Sequence, residues 1–179
     1  MTNHRQVALL RGINVGTAKR IAMADLRTIV ADLGYSQVRT HLQSGNIVFD
    51  SSVPVDAAAV AELETYLLKR TSVESRIMVI PAGRLQRIAR ENPLADSPDP
   101  SRMVITFVDR MPALSEIVRP TDEELAPERL ALGAEAIYQW CPDGILKSKL
   151  PKNFFTRLDT LFTARNLRTV NKLVQMLDE

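Results

Sequence analysis

Two kinds of periodicity alternate along the first eighty residues, and their order constrains the fold more than any single motif. Val7-Ala8-Leu9-Leu10 is an unbroken apolar run, the pattern of a strand buried on both faces. Met23, Leu26, Val30 and Leu33 then recur at helical spacing, and Gly34 follows as a stop. Val38, Thr40 and Leu42 alternate, Ser44-Gly45-Asn46 is turn chemistry, and Ile47-Val48-Phe49 is apolar again. Residues 37–50 therefore read as a β-hairpin. Pro54 and Asp56 open a second helix with Val60, Leu63 and Leu67 on its stripe, and Ile77-Met78-Val79-Ile80 forms a strand ended by Pro81. The order β-α-β-β-α-β is that of a ferredoxin-like unit with both helices on one face of the sheet. Val7, Leu9, Leu26, Ile47, Phe49, Leu63, Leu67, Ile77 and Val79 are its expected core.

Beyond residue 82 the pattern repeats less clearly. A short helix around Leu85 and Ile88 leads into residues 92–100, where three prolines in nine residues mark a linker. Met103–Val108 reads as a strand, 113–118 as a short helix, and Arg129–Leu132 with 135–140 as a hairpin around Gly133. Pro151 opens an expected helix carrying Phe154, Phe155, Leu158 and Leu161, and Val170, Leu173, Val174 and Leu177 mark a last one. No fourth strand is evident. The expected fold class is α+β: a ferredoxin-like βαββαβ unit over 1–82, a helix and proline-rich linker over 83–102, and a related, degenerate α+β unit with a C-terminal helix over 103–179.

Composition narrows the class of protein. Of 179 residues, 45% are hydrophobic and 25% charged, which excludes a disordered chain, a collagen and a coiled-coil rod. No apolar run approaches the roughly 20 residues that span a bilayer, and the run at 7–10 is too short for a signal-peptide core. The single cysteine, Cys141, excludes an internal disulfide and a Cys-rich zinc site, and His4 and His41 leave little for a metal centre. A cytoplasmic protein without metal, cofactor or membrane partner is expected.

The net charge of +2 conceals an asymmetry. Residues 1–50 carry 6 Lys or Arg against 3 Asp or Glu, and residues 141–179 carry 7 against 4, whereas 101–140 carry 4 against 7. Basic ends around an acidic middle suggest a polarised surface, or simply solvated charges.

Three segments could carry chemistry. Leu10-Arg11-Gly12-Ile13-Asn14-Val15-Gly16 places two glycines and an arginine after a buried strand, where backbone amides can approach an anion. It matches neither the P-loop nor the dinucleotide fingerprint in glycine spacing, and a tight turn is the plain alternative. Gln43-Ser44-Gly45-Asn46 reads first as a hairpin turn. Lys147-Ser148-Lys149 and Thr163-Ala164-Arg165-Asn166-Leu167-Arg168-Thr169 gather cations near a helix start that Thr163 or Asn166 could cap. The expected ligand-binding residues are Arg11, Gly12, Asn14, Gly16, Gln43, Ser44, Asn46, Lys147, Lys149, Arg165 and Asn166. Catalytic residues are not identifiable: the histidines have no recognisable partners, Cys141 reads as a small buried hydrophobe, and Asp25 and Asp32 lie on a solvated helix face.

These same strings, with Met23-x-x-Leu26, Thr40-x-x-Gln43-Ser44-Gly45-Asn46-Ile47-Val48-Phe49 and Thr163-Ala164-Arg165-Asn166-x-x-Thr169-Val170-x-Lys172-Leu173, resemble the domain of unknown function 1697 family, an uncharacterised bacterial family, from about residue 5 to the C-terminus. Thr17 stands where the family usually has a glycine, and His41 where it often has an aromatic residue. The resemblance implies paired ferredoxin-like units and no established reaction.

Three functions fit the sequence. The first is a module binding an anionic, phosphate- or carboxylate-bearing ligand, either a phosphorylated small molecule or nucleic acid, at a cationic site drawn from both halves. The absence of the RNA-recognition aromatic signature weighs against a standard single-stranded RNA binder. The second is a small-molecule enzyme of unknown reaction, lacking an obvious base or nucleophile. The third is a ligand-free interaction or oligomerisation domain.

Overall fold

A computed structural model of the chain describes residues 3–15 and 20–179. Two four-stranded antiparallel sheets and five helices are present among them. The elements are β1 (His4–Leu10), α1 (Met23–Asp32), β2 (Ser36–His41), β3 (Asn46–Ser51), α2 (Ala57–Thr71), β4 (Ile77–Pro81), α3 (Ala82–Arg90), β5 (Met103–Val108), α4 (Asp122–Leu125), β6 (Arg129–Leu132), β7 (Ala136–Trp140), β8 (Phe162–Asn166) and α5 (Leu167–Leu177). The chain divides into two compact units, Met1–Gln86 with Leu173–Glu179, and Arg87–Lys172, so the division falls inside α5.

In the first unit the sheet order is β2-β3-β1-β4, every neighbour antiparallel. The side chain of Asp56 caps α2 by accepting from the Ala59 N–H at 2.9 Å. Ala8, Leu10, Ile47, Phe49 and Ile77 face Leu26, Ile29 and Val30 of α1 and Leu63 and Leu67 of α2 in one buried cluster. Strand alternation turns Val7, Leu9, Val48, Met78 and Ile80 to the opposite face, and they too are buried. Val79, expected in the core, is only partly buried at its margin. On the second face Arg5 pairs with Asp50 at 2.9 Å and donates to the Leu177 carbonyl at 2.7 Å, while Arg39 donates to the Met176 carbonyl. Helix α5 has no basic residue in its own last turn, so these sheet arginines satisfy its terminal carbonyls and dipole.

The second sheet has the order β6-β7-β5-β8, the same permutation of its own four strands. Val108, Leu130 and Ile137 pack with Ile117, Leu125, Leu150, Phe154 and Leu158. Several expectations need correcting here. A fourth strand exists: β8 runs antiparallel to β5, and Thr163, expected as a possible cap, is buried within it opposite Phe107. Asn166 is the cap of α5, its Oδ1 accepting from the Thr169 N–H at 2.9 Å. The helix expected from Pro151 is a run of turns ending in one 3-10 turn, Thr156–Leu158, closed by Asp159 at φ 49°. Phe154 and Leu158 still bury as a stripe would, and Phe155 contacts the rings of Phe154 and Phe162, so aromatic packing holds the segment without a helical ladder. The helix expected at 113–118 shrinks to the 3-10 turn Leu114–Glu116, and α4 follows it, started by a Thr121–Glu124 capping box.

Candidate functional site

In the first unit the loop after β1 is fastened through its own polar groups. The Arg11 N–H donates to the Arg76 carbonyl at 2.9 Å, and the Ser75 hydroxyl donates to the Arg11 carbonyl at 2.9 Å. Asn14, at φ 54°, donates its amide to the Ile21 carbonyl at 3.0 Å and the Gln43 carbonyl at 2.6 Å, and its Oδ1 accepts from the Ile21 N–H at 2.8 Å. One side chain thus ties both ends of the loop and the hairpin turn together. Asn46 is fully buried and donates to the His41 carbonyl at 2.8 Å and the Ser44 hydroxyl at 2.9 Å. Gly45 at φ 73° is required by contact as well as by torsion, since a Cβ there would lie 2.7 Å from Leu10 Cβ. The Arg11 and Gln43 side chains and Gly12 are exposed. Gly16 lies outside the described residues.

Sequence reading missed a polar cleft of about 370 Å³ in the same unit, lined by Arg20, Asp25, Thr28, Arg70 and Thr71 among others. Its Arg70 is bound to Asp32 at 3.1 Å and to the Tyr66 hydroxyl at 2.8 Å, so Asp32 serves as an ion-pair partner.

The second unit brings two expected residues, Arg165 and Asn166, to one cavity. This cavity, of about 250 Å³, is lined by Ser101, Arg102, Val104, Ile145, Ala164, Arg165 and Asn166. Lys147 is exposed two residues beyond Ile145, and Lys149 is exposed beyond it. The loop is held in place by Glu128, a buried carboxylate that the sequence did not single out. Glu128 accepts from the Ser148 hydroxyl at 2.7 Å, the Gln139 amide at 3.1 Å and the Lys149 N–H at 2.5 Å. Gln139 also donates to the Ser148 hydroxyl at 2.7 Å, and the Lys149 ammonium donates to the Ala126 carbonyl. This network orders a loop whose outer residues stay in solvent.

Electrostatics around the cavity are cationic. Arg102 pairs with Asp99 at 3.6 Å and donates to the Pro142 carbonyl. The Ser101 hydroxyl and N–H hold the Asp99 carboxyl below the usual carboxylate range, with Arg168 and Arg102 adding to the effect. Arg165 folds back to donate to the Thr163 hydroxyl at 3.0 Å and the Ala164 carbonyl at 2.7 Å. Burial pulls its guanidinium down to about 10, the sign of a charge poorly served by solvent. Nearby chemistry is otherwise inert: burial, then Glu128, pushes the Cys141 thiol up to about 12, where it is no nucleophile. Among the described residues no group of three or more His, Cys, Asp or Glu could hold a metal ion, and no helix is long and apolar enough to cross a membrane.

Comparison with known proteins follows from this geometry. The model of a family described as a protein of unknown function, DUF1697, matches residues 3–138. No curated protein matches the chain. The solved structure of the conserved bacterial protein SP0830 from Streptococcus pneumoniae is similar at 28% identity and a TM-score of 0.72, covering 98% of this chain and 99% of that one.

Proposed function

The chain belongs to the DUF1697 family of proteins of unknown function, and we propose that it is a binding module for an anionic, phosphate- or carboxylate-bearing ligand. The observation that carries this reading is the cavity of the second unit, where Arg102, Arg165 and Asn166 line the wall together with Ile145, from the Glu128-anchored loop that also carries Lys147 and Lys149. Arginine supplies a planar fork for carboxylate or phosphate, and lysine a mobile point charge.

The same reading enlists Arg11, Gly12, Gly16, Gln43 and Ser44 as a second set of contacts, tested separately, on a loop and turn that Asn14 and Asn46 hold in place. Its architectural premise is a pair of ferredoxin-like units in a cytoplasmic protein. The shared strand permutation supports that plan, with 1–82 as one unit, 83–102 as connector and 103–179 as the other.

The test is thermal unfolding at low salt against pyrophosphate, phosphorylated metabolites and short oligonucleotides. Stabilisation that vanishes in Lys147→Ala/Lys149→Ala supports the second-unit site, and stabilisation that vanishes in Arg11→Ala supports the first set. A wild-type protein that none of these anions stabilises overturns the proposal.

A further inference from the structure

We propose that β8 and the cavity beside it accept an extended peptide segment carrying acidic residues, which adds to the second sheet as a further strand. This rests on the cationic reading of the cavity and names its ligand class. The geometry of the edge comes first. Strand β8 is the last strand of its sheet and pairs with β5 alone. The Asp109 N–H donates to the Leu161 carbonyl at 2.9 Å, which fixes the phase of the ladder. With Val108 opposite Phe162, the mutually bonded pairs fall at Phe107 with Thr163 and Ile105 with Arg165. The backbone N–H and C=O groups of Ala164 therefore point away from β5, and Ala164 is exposed. Its carbonyl accepts the Arg165 guanidinium at 2.7 Å, so a cation guards the edge, a known defence against indiscriminate strand pairing. A partner that brings its own carboxylate can draw that guanidinium away; an uncharged strand cannot.

Apolar surface sits beside this edge. Val104, Ile145 and Ala164 line a cavity large enough for an aliphatic side chain. Ile145 is 50% exposed and Leu146 99% exposed, yet both stand on the loop that Glu128 anchors. Fixed, exposed apolar residues of this kind mark an interaction surface. Charge selects the occupant: the charged residues of the cavity lining are Arg102 and Arg165, and Arg168 joins Arg102 in pairing with Asp99. Nucleic acid fits less well, because no aromatic side chain lines the cavity to stack a base. In strand addition the backbone supplies affinity and the pocket for an alternate side chain supplies specificity.

Fluorescence anisotropy with three labelled peptides tests this. One has an alternating valine and leucine centre flanked by aspartate and glutamate; the second has the same centre flanked by lysines; the third is the acidic peptide with its central amides N-methylated. Binding of the acidic peptide at least tenfold tighter than of either other supports the proposal. Ala164→Pro removes an outward N–H without breaking the ladder, and it should weaken the acidic peptide at least tenfold. Should that variant not fold, Leu146→Asp, a change at a fully exposed position, should give the same loss. Equal binding of all three peptides overturns strand addition, as does wild-type affinity in both variants. Pyrophosphate stabilisation without peptide binding removes the peptide and leaves the anion site. Tight oligonucleotide binding in place of peptide, or self-association abolished by Leu146→Asp, replaces the peptide with a nucleic acid or a second copy.

Discussion

The two basic loops are held by opposite means. After β1, a neutral amide does the fastening: Asn14 ties the loop to the hairpin, and Asn46 ties the hairpin to itself. Their polar groups are consumed in structure, and only side chains such as Arg11 and Gln43 remain turned outward. At 145–149 the fasteners, Glu128 and Gln139, come from other parts of the chain. Ser148 and Lys149 are tied down, and Ile145, Leu146 and Lys147 are presented to solvent. A distinctive string can thus mark the anchor in one place and the presented surface in another, and hydrogen-bond partners alone tell which.

The sharpest way to break the comparison is to ask whether the two sheets carry their units equally. Phe49 and Phe107 are essentially unexposed on their sheets, and truncating either to alanine should cost about 3–5 kcal/mol in denaturant unfolding. A loss below about 1 kcal/mol in one of them would show that its sheet is not the core of its unit. Next in size is Glu128→Ala, which leaves the Ser148 hydroxyl, the Gln139 amide and the Lys149 N–H without their acceptor. A loss of about 2–3 kcal/mol is expected, with faster proteolysis at Lys147 and Lys149. Unchanged cleavage there would mean that the loop is held by something other than Glu128. Asn14→Ala should cost less, about 1–2 kcal/mol, because neutral bonds are lost and the positive φ becomes harder to hold. If it matches Glu128→Ala, the distinction between the two fastenings fails.

A further effect is alkaline and belongs to the second unit. Burial raises the Cys141 thiol from 9.0 to about 12 and the Tyr138 hydroxyl from 10.0 to about 12, with Glu91 and Glu135 adding to the latter. Both groups stay neutral in the folded protein while the unfolded chain ionises. Their contribution is complete below pH 9 and is lost as the pH rises from about 9 toward 12. Unfolding midpoints measured across that range should fall, and Cys141→Ala should flatten the fall. An unaltered slope in that variant would put the titration elsewhere.

The first unit's elements were readable because each carries a complete local signal. The unbroken run at β1, the stripes of α1 and α2 and the turn glycine at 45 each reflect burial of one strand or one helix face. Strand β8 carries no such signal. Its one buried side chain is a threonine, its neighbours are a small exposed alanine and an arginine, and as an edge strand it needs only one partner. The 151–161 segment failed in the other direction, since Phe154 and Leu158 have helical spacing but are held by ring packing. Helix α4 was legible in principle, from Thr121 and Glu124 at capping-box spacing.

The site divides along the same line. Residue types and local chemistry sufficed to find Arg165, Asn166 and the two lysines as candidates, and to identify Asn166 as a possible cap. Tertiary structure alone decided that Asn14 and Asn46 are fasteners, that Arg102 and Ile145 share the cavity wall, and that Glu128 anchors a loop some twenty residues away in sequence. Hydrophobic periodicity is a property of neighbours three or four residues apart, so one chain displays it without knowing its fold. A buried carboxylate's partners are chosen by desolvation, which acts only after the sheet and its loops have closed around it.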